Sequence, residues 1–248
     1  MLDYLIVIPA RISSSRFPAK PLAKINGKEL ILHVLDRCNK VFDREKIIVA
    51  TDSLKILNFV KNNKYKSILT SAKCLTGTDR VSEVSNKINA KIYVNVQGDE
   101  PLINPKDIEK ILSAKKKFKN YIICGTTKID KNENPKSLSI PKVVFNKNLE
   151  MIYMSRSVIP AIKIKKKSNK LQYWKQVCVY AFTKRDLKIF GKNKKKSYLE
   201  KIEDIEILRF LDKKKKIKMV KTKKGTIAVD YPRDIKVVEK LIKKNEKR

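Results

Sequence analysis

The sequence has few of the residues on which several common kinds of site depend. Its 248 residues include a single histidine, His33, and four cysteines that are far apart and form no C-x-x-C pair. One histidine argues against histidine-based acid–base catalysis, and His33 lies in an amphipathic segment where we expect a structural role. Without paired cysteines we expect no structural zinc site, and scattered cysteines are typical of the reducing cytoplasm.

Long apolar runs are missing as well. No run reaches the length that a membrane-spanning helix requires. The apolar stretch at residues 2–10 is interrupted by Asp3 and follows no basic segment, so we expect neither a signal peptide nor a membrane partner. We therefore expect a cytoplasmic, globular protein, since 42% of the residues are hydrophobic and the length suits one domain over residues 1–248.

Acidic residues are scarce beside basic ones. The 59 lysines and arginines outnumber 25 aspartates and glutamates, which gives a formal net charge of +34. Such a charge can indicate binding to nucleic acid or another polyanion. Here the lysines are spread along the whole chain, and their clusters contain few aromatic side chains on which bases could stack. We expect weak, salt-sensitive attraction and no specific nucleic-acid partner; a polyanion-binding protein is the alternative from another functional class.

Apolar and amphipathic segments alternate in the first half of the chain. We predict strands at 4–9, 46–52, 66–70 and 91–101, and helices at 29–40, 53–62, the second half of 76–88 and 105–118. This alternation predicts an α/β fold with a doubly wound, mostly parallel sheet. Ligands of such sheets bind beyond the carboxyl ends of the strands, where the polar segments 10–20, 51–53 and 97–101 fall.

After about residue 120 the pattern becomes typical of antiparallel strands. We predict strands at 121–129 and 141–146, a strand running into a helix within 171–187, a helix at 198–212, short strands at 217–223 and 226–230, and a closing helix at 232–245. We interpret residues of about 120–190 as an excursion embedded in the domain. It could build part of a ligand pocket or a subunit contact.

The loop after the first strand concentrates cations and hydroxyl groups. It contains Arg11, Arg16 and Lys20, with three serines at 13–15. Two guanidinium groups, an ammonium and backbone N–H groups can together hold a triphosphate. The loop has neither the P-loop nor the Rossmann glycine pattern. Three cations directly after a buried strand favour a phosphate site over a solvated basic turn.

Two aspartates end predicted strands that lead to the same edge of the sheet. Asp99 and Asp230 could converge there, and carboxylates are ligands that Mg²⁺ prefers. Alternatively, Asp99 is a turn or cap residue before Pro101, and Asp230 caps the helix that follows Pro232.

Three further charged residues, Arg156, Glu200 and Glu203, have two interpretations each. Arg156 lies among apolar neighbours and needs an anion, which could be a ligand or an internal carboxylate. Glu200 and Glu203 are three residues apart and share a helix face, which could bind a ligand or could simply be solvated. For Glu206 we expect an ordinary solvated face.

Seven segments of the chain share a more specific pattern. They are PARISSSRFPAKPLAKINGKELILHVL, TGTDRVSEV, IYVNVQGDEPLI, PKVV, YMSRSVIP, YLEKIEDIEILR and VDYPRDI. Together they resemble the CMP-sugar synthetase family, and within it the 3-deoxy-D-manno-octulosonate (KDO) cytidylyltransferases. The resemblance extends from about residue 3 to 242 and implies a three-layer nucleotide-diphospho-sugar transferase fold. It also implies CTP and KDO as substrates, magnesium, a homodimer and a part in lipopolysaccharide synthesis.

The resemblance assigns roles to individual positions. It implies that the CTP phosphates are held by Arg11, Arg16 and Lys20 with a hydroxyl of Ser14 or Ser15, and that Thr76, Thr78 and Arg80 lie near the cytosine. It implies magnesium at Asp99 and Asp230, and a sugar site with Gln97, Arg156 at the sugar carboxylate, Gln176, Glu200 and Glu203. Of these residues, Lys20, Asp99 and Arg11 are expected to act in catalysis.

Two departures from the family pattern concern histidines. Gln176 stands where the family usually has a histidine that approaches the sugar, and the segment SAKCL at 71–75 lacks a second one. The first departure leaves open whether the sugar acid is KDO, its 8-amino analogue or a sialic-acid-like sugar. In each case we expect the anomeric hydroxyl to attack the α-phosphorus of CTP and pyrophosphate to leave. A nucleotidyltransferase acting on a sugar phosphate fits less well, because Arg156 is placed to meet a carboxylate.

Overall fold

The first strand shows why its sequence is a continuous apolar run. In the computed structural model, which describes residues 1–13, 16–163, 172–193, 195–223 and 227–246, this strand lies in the middle of the sheet. Ile6 and Ile8 belong to one apolar cluster, whereas Leu5 and Val7 belong to a second cluster on the opposite face. Residues 5–10 of this strand are all buried and therefore favour apolar side chains, whereas Asp3 lies at its exposed start.

The described residues form eleven strands and eight α-helices, and strands and helices alternate through most of the first half of the chain. The strands are Leu2–Ala10 (β1), Lys24–Ile25 (β2), Lys28–Glu29 (β3), Ile47–Thr51 (β4), Lys66–Leu69 (β5), Ala90–Val96 (β6), Ile122–Lys128 (β7), Lys142–Phe145 (β8), Met151–Ser155 (β9), Trp174–Phe182 (β10) and Ile217–Lys221 (β11). The helices are Leu30–Asn39 (α1), Leu54–Asn62 (α2), Gly77–Lys87 (α3), Pro105–Lys117 (α4), Lys184–Gly191 (α5), Tyr198–Glu203 (α6), Leu208–Asp212 (α7) and Asp234–Glu246 (α8). In the described part of the chain, no helix has the length and apolar character to cross a membrane.

A sheet of nine strands, counted over the described residues, organises the fold. Its main path runs β11-β7-β10-β6-β1-β4-β5. Strands β6, β1, β4 and β5 are parallel to one another, and β11 is parallel to β7. Strand β10 runs antiparallel to both of its neighbours, and β8 and β9 extend the sheet from it as an antiparallel pair. The predicted mostly parallel sheet with an antiparallel addition is confirmed.

Helices cover both faces of this sheet and complete three layers. One apolar cluster joins the sheet to α1, α4 and α8, and the other joins it to α3, α5 and α7. Each helix contributes its apolar stripe to one cluster and leaves its charged side in water. The carboxyl ends of β1, β4 and β6 remain open at one edge, between the two helical layers.

The predicted helix at 198–212 is wrong in one respect, because the chain breaks it in two. Helix α6 ends at Glu203, and Asp204 adopts a left-handed conformation with φ 48°. Aspartate tolerates this conformation better than most residues, and it is a common way to end a helix. The turn buries Ile205 and Ile207 before α7 starts at Leu208. Strand β9 was not predicted, and residues 227–230 of the last predicted strand are not in a strand.

Candidate active site

A cleft of about 630 Å³ lies at the open edge of the sheet. Its walls come from the segments after β1 and β6, the first turn of α3, strand β10 and the turn after α6. The predicted residues that line it are Arg11, Arg16, Lys20, Thr76, Arg80, Gln97, Asp99, Arg156, Gln176 and Asp230. The predictions for Ser14 and Ser15 lie outside the described residues.

Lys20 connects both predicted metal ligands. Its Nζ donates to Oδ2 of Asp99 at 2.6 Å and to the carbonyl of Val229 at 2.8 Å, and lies 4.0 Å from Oδ1 of Asp230. The backbone N–H of Val229 in turn donates to the Asp99 carbonyl at 2.9 Å. The two aspartates therefore converge on one ammonium group at the same edge of the cleft.

The two arginines of the opening loop both line the cleft. Arg16 is 3.4 Å from Oδ1 of Asp230, and its guanidinium lies 5.6 Å from the centre of the Tyr231 ring. The hydrogen bond with Tyr231, assisted by the charge of Asp230, raises the pKa of Arg16. Arg11 is exposed at the cleft wall. The opening loop thus presents three cations to the cleft.

Two glycines allow the cleft segments to approach one another closely. A Cβ on Gly98 would lie 2.7 Å from the carbonyl oxygen of Pro9, a distance that side-chain carbons do not adopt. A Cβ on Gly77 would lie 3.1 Å from both the Gln97 side chain and Pro9. These contacts explain the glycines of the QGDEP and TGTDR segments and fix the strand ends relative to α3.

Glu206 is a cleft residue that the sequence did not reveal, and the prediction of a solvated face for it is wrong. Its carboxylate accepts hydrogen bonds from Gln97 Nε2 and from the backbone N–H of Thr78, both at 2.9 Å. The break at Asp204 turns this part of the chain inward and places Glu206 beside the start of α3. Burial raises the pKa of Glu206 above its ordinary value.

Thr76 and Thr78 act mainly through the start of α3. The Thr76 hydroxyl accepts a hydrogen bond from the backbone N–H of Asp79, and the Asp79 carboxylate accepts from the backbone N–H of Thr76, which forms a capping box. The Thr76 hydroxyl also donates to that carboxylate. Thr78 is fully buried, and its hydroxyl accepts from Asn95. Only Thr76 of the two lines the cleft.

Arg80 is committed to interactions within the protein. Its Nη2 donates to Asp52 Oδ2 at 2.8 Å and its Nη1 to Thr70 Oγ1 at 2.7 Å. The other Asp52 oxygen accepts from the backbone N–H of Ile12 in the opening loop at 3.2 Å. Arg80 therefore joins the base of the opening loop to α3 at the cleft wall.

Glu200 does not reach the cleft, which contradicts its predicted role at the sugar. It is fully buried, and its two oxygens accept from Nε and Nη2 of Arg209, each at 2.6 Å. The buried Arg209 lies on the other side of the helix break. A carboxylate held in this way has no free oxygen directed at a ligand.

Glu203 lies behind Arg156, which differs from its predicted position at the sugar. Its carboxylate accepts from Ser155 Oγ at 2.6 Å and from the backbone N–H of Arg156 at 2.8 Å. It does not line the cleft. Its contribution is to fix the end of β9, from which Arg156 projects.

The Arg156 guanidinium is held by backbone carbonyls. It donates to the carbonyls of Glu203 at 2.6 Å, Leu138 at 2.7 Å and Asp204 at 3.0 Å. Over the described residues it forms no ion pair with a carboxylate, so the predicted alternative of an internal salt bridge is not observed there. A guanidinium that lines a cleft and is neutralised by no carboxylate is suited to bind an anionic ligand.

Strand β10 contributes three uncharged residues to the cleft, Gln176, Cys178 and Tyr180, which together form what we call its neutral floor. Gln176 Nε2 donates to the Tyr180 hydroxyl at 2.8 Å, and both residues line the cleft with Cys178. Burial raises the pKa of both the Tyr180 hydroxyl and the Cys178 thiol. Cys74 also lines the cleft, where burial and a hydrogen bond to Glu83 raise its pKa to about 12.

The donor set at Asp99 and Asp230 fits one kind of metal. Over the described residues, no group of three histidine, cysteine, aspartate or glutamate side chains forms a metal site. Two carboxylates that converge at one point fit Mg²⁺, which takes its remaining ligands from water and phosphate oxygens. Zinc or copper would favour nitrogen or sulfur ligands, which these two aspartates do not supply.

Comparisons with known proteins agree with this geometry. A family model described as cytidylyltransferase matches residues 5–217. The chain is 36% identical over 249 residues to the 3-deoxy-manno-octulosonate cytidylyltransferase of Thermodesulfovibrio yellowstonii, covering 96% of this chain and 97% of the relative. It is 33% identical over 244 residues to the 8-amino-3,8-dideoxy-manno-octulosonate cytidylyltransferase of Shewanella halifaxensis, covering 96% and 98%.

Solved structures also match this chain over nearly its whole length. The structure of a CMP:2-keto-3-deoxy-manno-octonic acid synthetase complexed with CTP matches with a TM-score of 0.89 and 34% identity, covering 98% of this chain and 99% of that one. The inositol-1-phosphate CTP transferase of T. maritima matches with a TM-score of 0.67 at 15% identity, covering 98% and 96%. The second likeness shows a shared fold only, whereas the first extends to the sequence.

Proposed function

Because the chain belongs to the cytidylyltransferase family and is a nucleotidyltransferase, we propose that it transfers CMP from CTP to KDO and releases pyrophosphate. One observation carries the proposal: a single cleft is lined by the three cations of the opening loop and by the guanidinium of Arg156, which pairs with backbone carbonyls and with no carboxylate among the described residues. The first group suits a triphosphate, and the second suits the carboxylate of a sugar acid.

The phosphate end supplies charge and orientation. Arg11, Arg16 and Lys20 would contact the phosphate oxygens and stabilise the negative charge that develops on the departing pyrophosphate. Phosphoryl-type transfer requires mainly positioning and charge neutralisation, which these residues provide. Arg80 holds the loop base and α3 together, so the triphosphate and the nucleoside would be fixed relative to each other.

The residues Asp99 and Asp230 would hold magnesium. When bound, Mg²⁺ would lower the pKa of the attacking hydroxyl and neutralise charge on the transferred phosphate. Lys20 now occupies the space between the two carboxylates, so it would turn toward the phosphates as the metal binds. Asp99 lies at the end of β6, beside Gln97, and so between the proposed phosphate and sugar sites.

The sugar end would recognise a polyhydroxylated acid. Arg156 would bind the carboxylate, and Gln97 with Glu206 would bond hydroxyl groups. Gln176 contributes to the neutral floor, where its amide already donates to Tyr180. The 8-amino analogue is the second candidate substrate, because relatives with that printed name match 96% of the chain.

We also propose a cytoplasmic homodimer that serves lipopolysaccharide synthesis. CTP is supplied in the cytoplasm, and the four cysteines are unpaired. Strand β9 and helix α6 contact each other through Glu203 and expose apolar side chains, with Ile152 at 59%, Tyr198 at 77% and Ile202 at 67%. A second copy of the chain could cover them, and sedimentation of the wild type beside Ile202→Lys tests this.

The central experiment is to incubate the protein with CTP, magnesium and a panel of sugar acids and to measure pyrophosphate release. We expect turnover with KDO. We also expect kcat/KM for the 8-amino analogue to be equal to or lower than kcat/KM for KDO. A preference of more than about tenfold for the amino sugar would reassign the substrate. Absence of turnover with every sugar acid would favour the polyanion-binding alternative.

A further inference from the structure

Arg209 is a buried arginine of α7 that connects the starts of α3 and α6. Its side chain is 1% exposed. It donates to Glu200 through Nε and Nη2, each at 2.6 Å, and to Asp79 through Nη1 at 2.6 Å and Nη2 at 3.2 Å. The guanidinium also lies 3.8 Å from the centre of the Phe190 ring. Two carboxylates and an aromatic face therefore hold it in one orientation.

Both carboxylates also bond to the first residues of their own helices. Asp79 accepts from the backbone N–H of Thr76 at 2.9 Å at the start of α3. Glu200 accepts from the backbone N–H of Ser197 at 3.1 Å at the start of α6. Arg209 thus links two capping interactions, so a shift of either helix start changes the bonds at the other.

These two helix starts belong to the two halves of the cleft. The start of α3 carries Thr76 and Arg80 at the nucleotide side. Helix α6 carries Glu203, which orients Arg156 at the sugar side. Arg209 itself does not line the cleft, so it would act only by positioning.

We propose that Arg209 is a positioning residue that couples the CTP half of the site to the sugar-acid half. The assignment of the halves rests on the proposed function. CTP bound at the start of α3 fixes Asp79, which holds Arg209, and Arg209 holds Glu200 and with it α6. The sugar acid then meets Arg156 in a preformed position, so each substrate strengthens the binding of the other.

Stability alone is a weak explanation for this cluster. Buried ion pairs contribute little net stability compared with apolar residues of similar volume. The chain also contains a matched control away from the cleft, because Lys115 is fully buried and donates to Asp186 at 2.9 Å. Asp186 closes the capping box at the start of α5, so this pair has the same construction without a connection between half-sites.

The experiment measures amide hydrogen exchange of peptides covering α6 with and without CTP, in the wild type, Arg209→Lys and Lys115→Gln. None of residues 198–203 lines the cleft, whereas Lys196 and residues 204–206 do, so only protection resolved to residues 198–203 reports transmission rather than direct contact. We expect CTP to slow exchange of α6 at least about fivefold in the wild type and in Lys115→Gln, and less than about twofold in Arg209→Lys. Lysine keeps the charge but cannot bridge two carboxylates with a planar fork.

Initial rates over a matrix of CTP and sugar-acid concentrations give the second readout. In the wild type, saturating CTP should lower KM for the sugar acid by about fivefold, and this effect should vanish in Arg209→Lys while kcat changes less. If Arg209→Lys does not fold, Asp79→Asn replaces it in both measurements. Equal protection of α6 in the wild type and the Arg209 or Asp79 variant would overturn the proposal. So would a wild type in which CTP leaves α6 unprotected.

The two proposals can fail separately. If the wild type releases no pyrophosphate with any sugar acid, the proposed function fails. Hydrogen exchange with CTP alone still decides whether Arg209 transmits nucleotide binding to α6.

Discussion

The proposed phosphate end and the proposed sugar end of the cleft are built in different ways. At the phosphate end, Lys20, Asp99 and Asp230 lie in the segments that follow β1, β6 and β11, and they meet one another at the sheet edge. At the sugar end, Arg156 is held by backbone carbonyls, and its support comes from a helix that breaks at Asp204. The order of the strands in the sheet brings the first set of charges together. The position of Arg156, by contrast, depends on the break between α6 and α7 at Asp204.

The three glutamates of the segment 198–212 show the difference most clearly. At spacings of three residues they would share one face of a regular helix. The break instead sends Glu200 into the core, Glu203 behind Arg156 and Glu206 into the cleft. Three chemically identical residues thus acquire a structural, a supporting and a cleft position.

The largest effect is expected at the two aspartates of the phosphate end. Asp99→Asn and Asp230→Asn should each lower kcat by about 10²–10³-fold, because a neutral amide is a poorer ligand for a hard dication. EDTA should abolish turnover of the wild type. The measurement is pyrophosphate release against magnesium concentration, and full activity in EDTA would remove the metal from the proposal. Normal magnesium dependence in Asp230→Asn alone would remove only the second ligand.

The cations of the same end come next. Lys20→Ala or Arg11→Ala should slow turnover roughly 30- to 1000-fold, since each loses a charge-assisted contact to the leaving phosphates. Lys24→Ala is the control, because Lys24 is exposed and does not line the cleft. Steady-state kinetics with folding checked by circular dichroism would decide. A folded Lys20→Ala or Arg11→Ala enzyme with near-normal rates would contradict the phosphate site.

At the sugar end, Glu206 should give opposite pH dependences for activity and stability. Its pKa is raised by burial, so the folded protein binds this proton more tightly than the unfolded chain does. The free energy of unfolding should therefore fall as pH rises from 4.5 through the folded-state pKa. Activity should rise over the same range, because the ionised carboxylate accepts from Thr78 and Gln97.

The test of this pair of trends is urea unfolding and kcat/KM measured across that pH range for the wild type and Glu206→Gln. The variant should lose both dependences while remaining folded. If its acid limb of activity coincides with that of the wild type, Glu206 does not set the pH dependence.

The smallest effect is expected at the neutral floor. Gln176→His should retain KDO activity within about tenfold, because a neutral imidazole can donate to Tyr180 from one ring nitrogen and present the other to the cleft. Comparing kcat/KM of the two proteins for KDO and for the 8-amino analogue gives the measurement. A loss beyond about 100-fold would mean that the amide of Gln176 makes a bond that imidazole cannot replace.

Much of the fold followed from the sequence because the parallel strands are buried on both faces. Their continuous apolar runs identified β1, β4 and β6, and topology then brought the polar segments after them together. The family resemblance added the assignment of Arg156 and Gln176, both of which line the cleft.

The remainder depends on tertiary contacts that local pattern does not contain. The sequence around Asp204 allows a left-handed conformation but does not require one. The apolar pattern therefore predicts an unbroken helix with Glu206 on its solvated face. Arg80 was expected near the cytosine, and its ion pair with Asp52 joins residues 28 positions apart. The bonds of Arg209 to Asp79 span 130 positions, and no spacing in the chain indicates them.

The thiols at the cleft have a practical consequence for the chemistry of the enzyme. Cys74 and Cys178 face the space where substrates would bind, yet burial raises the pKa of both. With a pKa of about 12, the thiolate fraction of Cys74 at pH 7 is on the order of 10⁻⁵, and the thiolate is the form that alkylating agents and peroxide attack. Turnover should therefore survive treatment with iodoacetamide and mild oxidants, and the enzyme should need no reducing agent during assay.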